Sequence, residues 1–174
     1  DKRATLRRLL AREPELTNGI IFCNRKRDIG TLHRSLERHG YSAGALHGDM
    51  DQRARMATLD GFKNNKITLL VASDVAARGL DIPKVSHVFN YDVPHNAEDY
   101  VHRIGRTGRA GRSGKSFTIA AREDGKLVKA IEAMLKREVI WTDDPAGADE
   151  GSEAARPSRS RGDRREGRRE RKSE

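Results

Sequence analysis

Short apolar runs alternate along the chain with segments of helical periodicity, and this alternation restricts the possible folds more than any other feature. Five runs predict strands, at residues 19–23, 41–48, 67–73, 85–94 and 114–121. Apolar residues at helical spacing predict helices between and after them, at residues 25–39, 51–63, 96–106 and 124–138. Strands alternating with helices are typical of a mostly parallel sheet covered on both faces. We therefore expect an α/β domain of three layers.

The composition changes near residue 143 and divides the chain into two parts. Residues 143–174 have almost no large apolar side chains, so this segment cannot bury enough surface to offset the entropy cost of ordering. We expect a folded domain over residues 1–142 and a disordered, arginine-rich tail over residues 143–174. Residues 151–174 contain nine Lys and Arg against five Asp and Glu. This excess predicts attraction to phosphate backbones without sequence readout; a solubilising terminus with no partner is the alternative.

The overall charge favours a polyanionic partner. The formal net charge is +9, which indicates nucleic acid first and an anionic membrane surface second. No apolar run approaches the length of a membrane span and no signal-peptide pattern opens the chain, so we expect no membrane partner. Cys23 is the only cysteine, which excludes an internal disulfide and fits a reducing cytoplasm. The chain begins at Asp1 rather than at methionine, and we expect it to be part of a longer protein.

The segment LVASDVAARGLDIP, residues 70–83, leads from an apolar strand into polar and small residues. The Ser73 hydroxyl and the free backbone N–H groups beside it suit a phosphate oxygen. Gly79 lets the backbone approach a ligand closely, and Asp81 offers acceptors for ribose hydroxyls. The structural alternative is a helix N-cap at Ser73 or Asp74 and a turn at Asp81.

Two further polar segments follow predicted strands. In HGDMDQRAR, residues 47–55, Gln52 and Arg55 lie one turn apart near the positive end of a predicted helix, where anions are favoured. The alternative there is an N-cap at Asp49 in a near capping box with Gln52. In FCNRKRD, residues 22–28, three cations enter the next helix against its dipole. A bound phosphate would relieve that repulsion, and an exposed basic face is the alternative.

The most specific segment is YVHRIGRTGRAGRSG, residues 100–114. Arg103, Arg106 and Arg109 are spaced by threes, which stacks them along one side of a helical turn. Guanidinium groups stay charged and can fork onto phosphate oxygens, so Arg106 and Arg109 could stabilise the charge on a transferring phosphoryl group. Binding of RNA phosphates alone is the less demanding interpretation.

Several elements of a complete nucleotide site are missing from the sequence. There is no G-x-x-x-x-G-K-[ST] loop, no acidic pair suited to magnesium and no clustered His and Cys residues. Four scattered histidines are expected at the surface or in packing: His33, His39, His87 and His95. We therefore expect no metal site and no independent grip on a triphosphate.

Four of these segments, in this order, resemble the C-terminal RecA-like domain of a DEAD-box ATP-dependent RNA helicase. IIFCN resembles motif IV of that family, HGDMDQRAR motif IVa, SDVAARGLDIP motif V and HRIGRTGR motif VI. The resemblance covers about residues 1–140. It implies a three-layer RecA-like fold and a two-domain motor in which ATP with Mg²⁺ lies in the cleft between domains, held mainly by an N-terminal RecA-like domain of the same protein.

The resemblance also implies roles for individual residues. Arg106 and Arg109 would be arginine fingers, and His102 would couple the cleft to the RNA side. Gly79 and Asp81 would contact ATP. The expected RNA-binding residues follow three strands: Asn24, Arg25, Gly48, Gln52, Arg55, Ser73 and Asp74. The family often has Thr at the position of Arg25, so the RNA contact there differs in kind, and the role of Arg78 stays open.

We therefore expect the second motor domain of an ATP-dependent RNA helicase that unwinds short duplexes or remodels ribonucleoproteins in the cytoplasm, nearly inactive as an ATPase by itself. A stand-alone basic RNA-binding module without motor activity is the alternative. A relative that acts on DNA is a third possibility.

Overall fold

Five parallel strands form the central sheet of the computed structural model, which describes residues 1–108 and 114–142. The strands are β1 (Gly19–Phe22), β2 (Ala43–Leu46), β3 (Leu69–Ala72), β4 (His87–Asn90) and β5 (Lys115–Thr118). Their order in the sheet is β2-β3-β1-β4-β5, and all four pairings are parallel. β1 and β3 are buried at every position, as expected for strands covered on both faces. The predicted parallel sheet is confirmed.

Within residues 1–108 and 114–142, six α-helices connect the strands or flank them. They are α1 (Lys2–Ala11), α2 (Lys26–Arg38), α3 (Gln52–Lys63), α4 (Asp74–Ala77), α5 (Ala97–Ile104) and α6 (Gly125–Leu135), the last preceded by a 3₁₀ turn at Arg122–Asp124. The four predicted helices correspond to α2, α3, α5 and α6. α1 was not predicted, and α4 was anticipated only through the alternative of an N-cap at Ser73 or Asp74, because four residues are too few for periodicity to be visible.

The core has one layer on each face of the sheet. On one face, Leu6 and Leu10 of α1 join Ile29, Leu32 and Leu36 of α2 against the sheet. On the other face, residues of α3 and α4 pack on β1 and β3: Leu59, Phe62, Ala76 and Ala77. α6 packs near α5 through Val128 and Ile131. The sheet is therefore covered on both sides, and its carboxyl edge is left for polar loops.

Candidate functional site

The strand order brings three polar loops together at the carboxyl edge of the sheet. β2, β3 and β1 are neighbours, so the segments that follow them lie in a row. Gly48 lies beyond the end of β2, Ser73 follows β3, and Asn24 with Arg25 follows β1. Residues predicted separately from three segments of the sequence thus share one edge of the domain.

Ser73 is the N-cap of α4. Its Oγ accepts a hydrogen bond from the backbone N–H of Ala76 at 3.2 Å, so the capping interpretation of this serine is confirmed. A cap leaves the hydroxyl proton available to a second acceptor, because the hydroxyl donates as well as accepts. RNA binding by Ser73 stays a prediction.

Arg103 is the most buried charged side chain among the described residues, with 1% relative exposure. Its Nε and Nη2 donate to the two carboxylate oxygens of Asp74 at 2.8 and 2.6 Å. Nη2 also donates to Asn24 Oδ1 at 2.7 Å, and Nη1 donates to the Asp92 carbonyl at 2.9 Å and Asn90 Oδ1 at 3.5 Å. The guanidinium carbon lies 5.2 Å from the centre of the Phe22 ring. This network joins α5 to the ends of β1, β3 and β4.

Asn24 and Asp74 therefore have partners inside the domain. The Asn24 amide accepts from Arg103 and donates through Nδ2 to the Val93 carbonyl at 2.9 Å. Both carboxylate oxygens of Asp74 accept hydrogen bonds from Arg103. Direct RNA contact by these two side chains stays a prediction, but the geometry gives each a clear structural task.

Arg25 differs from Asn24 beside it. It is exposed and precedes α2 with extended backbone, and its side chain makes no capping bond. The next residue, Lys26, pairs with Asp49 across the carboxyl edge. The hydrogen bond from Lys26 and its charge lower the pKa of Asp49. The basic entry to α2 is thus partly compensated from the loop after β2, and Arg25 still faces solvent.

The predicted N-cap at Asp49 is wrong, because Asp51 caps α3 instead. Asp51 Oδ1 accepts from the Ala54 N–H at 2.7 Å, whereas Asp49 turns toward Lys26. Gln52 is then the exposed first residue of α3. Arg55, one turn on, donates from Nη2 to the Ala76 carbonyl at 3.3 Å. Its buried Nε has no hydrogen-bond partner among the described residues.

A cleft of about 520 Å³ lies between the α4 turn and α5. The predicted residues that line it are Gly79, His102 and Arg106, together with Asp74, which was predicted for RNA binding. Gly79 has φ +72°, a conformation that glycine adopts without strain. Arg106 donates from Nη2 to the Ala77 carbonyl at 3.5 Å, the long end of the hydrogen-bond range, so its guanidinium is weakly held.

The backbone of Arg106 is fixed more firmly than its side chain. Its carbonyl accepts from the Val85 N–H at 3.1 Å, and Thr107 Oγ1 donates to the Val85 carbonyl at 2.5 Å. Lys84, beside Val85, donates to the Gly105 carbonyl. Arg106 therefore presents a weakly held guanidinium from an anchored backbone.

The remaining predicted residues do not meet in this cleft. Asp81 is fully exposed and outside the cleft lining, and its carboxylate is 3.8 Å from Lys63 Nζ. Arg109 lies outside the described residues, as does the segment 143–174. Arg78, whose role was open, lines the cleft and pairs with Asp99 at 3.0 Å.

Sequence reasoning missed the central role of Arg103. Its spacing from Arg106 and Arg109 grouped it with arginines that await an external anion, yet it is the one buried residue of α5. Asp74, the acid of SDVAARG, is a possible partner for a buried arginine. However, no local pattern indicates that residues 74 and 103 contact each other, because they are far apart in the sequence. His87 was predicted to lie at the surface or in packing, and the packing position is confirmed. It is buried, and its Nε2 lies 2.8 Å from Glu13 Oε2.

The described residues hold no group of three or more His, Cys, Asp or Glu side chains that could bind a metal ion. The acids that line the cleft, Asp74 and Asp99, are paired with Arg103 and Arg78. The described part of the chain therefore suits an anion better than a cation. None of its helices has the length and apolar character needed to cross a membrane.

A family model and two curated relatives each match more than half of this chain. Residues 1–111 match the family model of the helicase conserved C-terminal domain. The DEAD-box ATP-dependent RNA helicase CshA of Streptococcus pneumoniae serotype 4 is 49% identical over 138 residues, which are 79% of this chain and 26% of that protein. The ATP-dependent RNA helicase RhlB of Pseudomonas putida is 47% identical over 120 residues, 69% of this chain and 30% of that protein. The chain thus spans less than a third of each of these relatives.

Two solved structures share the fold. The E. coli DEAD-box protein SrmB, bound to regulator of ribonuclease activity A, superposes with a TM-score of 0.75 at 38% identity, covering 79% of this chain and 81% of that one. S. cerevisiae Dbp5, bound to RNA and ADP BeF3, gives a TM-score of 0.69 at 34% identity, covering 76% of this chain and 36% of that one.

Proposed function

Because this chain belongs to the helicase conserved C-terminal domain family, as a C-terminal RecA-like domain of the DEAD-box type, we propose that it is the second motor domain of an ATP-dependent RNA helicase. In this proposal it works with an N-terminal RecA-like domain of the same protein. That partner supplies most of the grip on ATP and Mg²⁺, since the sequence here has no G-x-x-x-x-G-K-[ST] loop. The activity is unwinding of short RNA duplexes or remodelling of ribonucleoproteins in the cytoplasm.

The observation that carries the proposal is the position of α4 between two sets of residues. Arg106 and Gly79 border the cleft on one side of α4. Ser73 begins α4 at the carboxyl edge, and Arg55 reaches it from α3. A single short helix thus adjoins both a cleft suited to an anion and the polar edge of the sheet.

The cleft residues have the chemistry that phosphoryl transfer needs from this side. When bound, ATP supplies the phosphoryl group whose transfer to water drives the cycle. The Arg106 guanidinium leaves its long bond to Ala77 and stabilises the negative charge that develops on that group. Arg109 acts with it, Gly79 admits the nucleotide close to the backbone and Asp81 accepts from the ribose. His102, exposed at the cleft, relays nucleotide occupancy to the RNA side.

The carboxyl edge has the chemistry for an RNA backbone. Arg25 and Gln52 face solvent beside the capped helix α4, and Gly48 leaves the adjoining surface open for close approach. Amide, hydroxyl and guanidinium donors at strand ends suit phosphate oxygens and fix position without reading sequence. The arginine-rich tail adds salt-sensitive affinity of the same kind. S. cerevisiae Dbp5, which shares this fold, has been solved with RNA and ADP BeF3, which supports both assignments.

The test is ATP hydrolysis by the full-length protein, with and without RNA, for wild type and Arg106→Ala. We expect RNA to stimulate the wild type, and the variant to lose roughly 10²–10³-fold in kcat. Arg38→Ala is the matched control, because Arg38 is an exposed arginine that ends α2 away from the carboxyl edge. Full activity in Arg106→Ala would contradict the finger role.

Strand separation distinguishes the alternatives. The helicase proposal predicts ATP-dependent separation of a short RNA duplex and weaker action on a DNA duplex of the same sequence. RNA binding without any ATP hydrolysis by the full-length protein would instead identify a binding module. Equal separation of the RNA and DNA duplexes would indicate that the protein is a relative that acts on DNA.

A further inference from the structure

We propose that Arg103 is a positioning residue that holds α4 in the orientation required by both the cleft and the carboxyl edge, and so links nucleotide binding to RNA binding. This inference rests on the function proposed above. It concerns a residue that is almost completely buried in the wall of the cleft and makes its hydrogen bonds within the domain.

All N–H donors of the Arg103 guanidinium are matched by acceptors within the domain. A guanidinium has five N–H donors, and the five hydrogen bonds of Arg103 match them in number. Burying a charge at 1% exposure is costly unless it is paired with good geometry, and the fork onto Asp74 supplies that geometry. Lysine cannot reproduce this fork, because it is a point charge with three donors.

The hydrogen bonds of Arg103 join α5 to α4 and to the ends of two strands. Asn24 follows β1, Asp74 begins α4, Asn90 ends β4 and Asp92 lies two residues beyond it. Arg103 itself is in α5, three residues before Arg106. A rotation of α4 would therefore have to break the Asp74 pair or move α5 with it.

Two consecutive backbone carbonyls at the end of α4 accept hydrogen bonds from arginines of the two predicted sites. The Ala76 carbonyl accepts from Arg55, which belongs to the predicted RNA site, and the Ala77 carbonyl accepts from Arg106, which belongs to the predicted nucleotide site. α4 has only four residues, so its own hydrogen bonds fix its orientation weakly. Besides the packing of Ala76 and Ala77 in the core, the buried polar contact that orients α4 is the pair of Asp74 with Arg103.

The experiment measures coupling in the full-length protein. The affinity for a fluorescein-labelled single-stranded RNA decamer is measured with and without the non-hydrolysable analogue adenylyl imidodiphosphate. The ratio of the two affinities is the coupling factor, which typically lies at about 5–150-fold for linked sites. We expect it to fall to within about twofold of unity in Arg103→Lys and in Asp74→Asn.

The double variant separates positioning from direct contact. If Arg103 and Asp74 act through each other, Arg103→Lys/Asp74→Asn loses no more affinity for the RNA decamer than either single variant. Additive losses would mean that Asp74 contacts RNA by itself, and would overturn the proposal. Asp74→Asn keeps the size of the side chain, so it remains informative if Arg103→Lys folds poorly.

A matched control removes the contribution of stability. Glu13→Gln weakens another hydrogen bond to a buried side chain, that of His87 at the opposite edge of the sheet, and should lower stability while leaving the coupling factor unchanged. Equal loss of coupling in Glu13→Gln, or wild-type coupling in both Arg103→Lys and Asp74→Asn, would overturn the proposal. A wild type with neither coupling nor RNA-stimulated hydrolysis would contradict the proposed function itself.

Discussion

The Arg78 guanidinium donates to the Asp99 carboxylate at 3.0 Å, joining the residue that ends α4 to the first turn of α5. This bond crosses the cleft at its surface, where Arg78 has 63% side-chain exposure. It is the solvent-exposed counterpart of the buried bond between Arg103 and Asp74. The two pairs differ in burial and in geometry, because Arg103 forks onto both oxygens of Asp74 whereas Arg78 makes one bond to Asp99.

The Arg78–Asp99 pair should contribute little to stability. An exposed pair gains modest Coulomb energy against the entropy of ordering two side chains, so a double-mutant cycle with Arg78→Ala and Asp99→Ala should give a coupling of about 0.2–1 kcal/mol. Urea unfolding of the four proteins measures it. The coupling should vanish in 1 M salt, and a value that does not depend on salt would mean that the pair is more buried than its exposure indicates.

Gly79→Ala should destabilise the domain although no atom lies within 4 Å of the position of the added Cβ. The cost comes from φ +72°, and holding an alanine there costs roughly 1–2 kcal/mol. Gly125→Ala is the control, because Gly125 has φ −54° at the start of α6 with equally open space. It should stabilise by roughly 0.5–1 kcal/mol. Thermal unfolding measures the change in stability of each variant. An equal change in Gly79→Ala and Gly125→Ala would show that the positive φ of Gly79 is not the cause of the destabilisation.

Glu13 should make stability depend on pH below its ordinary pKa of 4.5. Partial burial opposes ionisation, but the hydrogen bonds from His87 and Lys115 outweigh it and hold the pKa of Glu13 below that value. A lowered folded-state pKa stabilises the fold above the unfolded value, and this stability is lost as the pH falls through the folded value. The difference in unfolding free energy between wild type and Glu13→Gln should therefore shrink as the pH falls from 4.5. A constant difference down to the acid transition would mean that Glu13 titrates alike in both states.

Cys23 should resist thiol reagents in the folded protein. It is completely buried, and burial raises the pKa of its thiol, so the reactive thiolate is scarce. Labelling by a maleimide at pH 8 should be at least ~10³-fold slower than in 6 M urea, because access requires opening of the core at a cost of about 5 kcal/mol or more. Rapid labelling under native conditions would show that the β1 end opens locally.

Local patterns were enough to predict the sheet but not its exact limits. Each predicted strand contains an observed one: the central strands β1, β3 and β4 are apolar runs buried at every position, whereas the edge strand β5 is mostly exposed. The strands are shorter than predicted: residues 85–94 reduce to His87–Asn90, since each pairing aligns only four positions. Similarly, the cap of α3 is Asp51 rather than Asp49, because Lys26 draws Asp49 toward α2.

By itself, the sequence determined the alternation of strands and helices, the polar segments at the strand ends and the motif order that indicates the family. These are local properties, and each is encoded within a few neighbouring residues. Only the tertiary structure decided which arginines are available to a ligand. Arg103 and Arg106 have the same charge and lie three positions apart, but Asp74, 29 positions before Arg103, meets only the first of them. Strand order sets that contact, and a buried charge requires its partner, so Arg103 is held within the domain and Arg106 is left at the cleft.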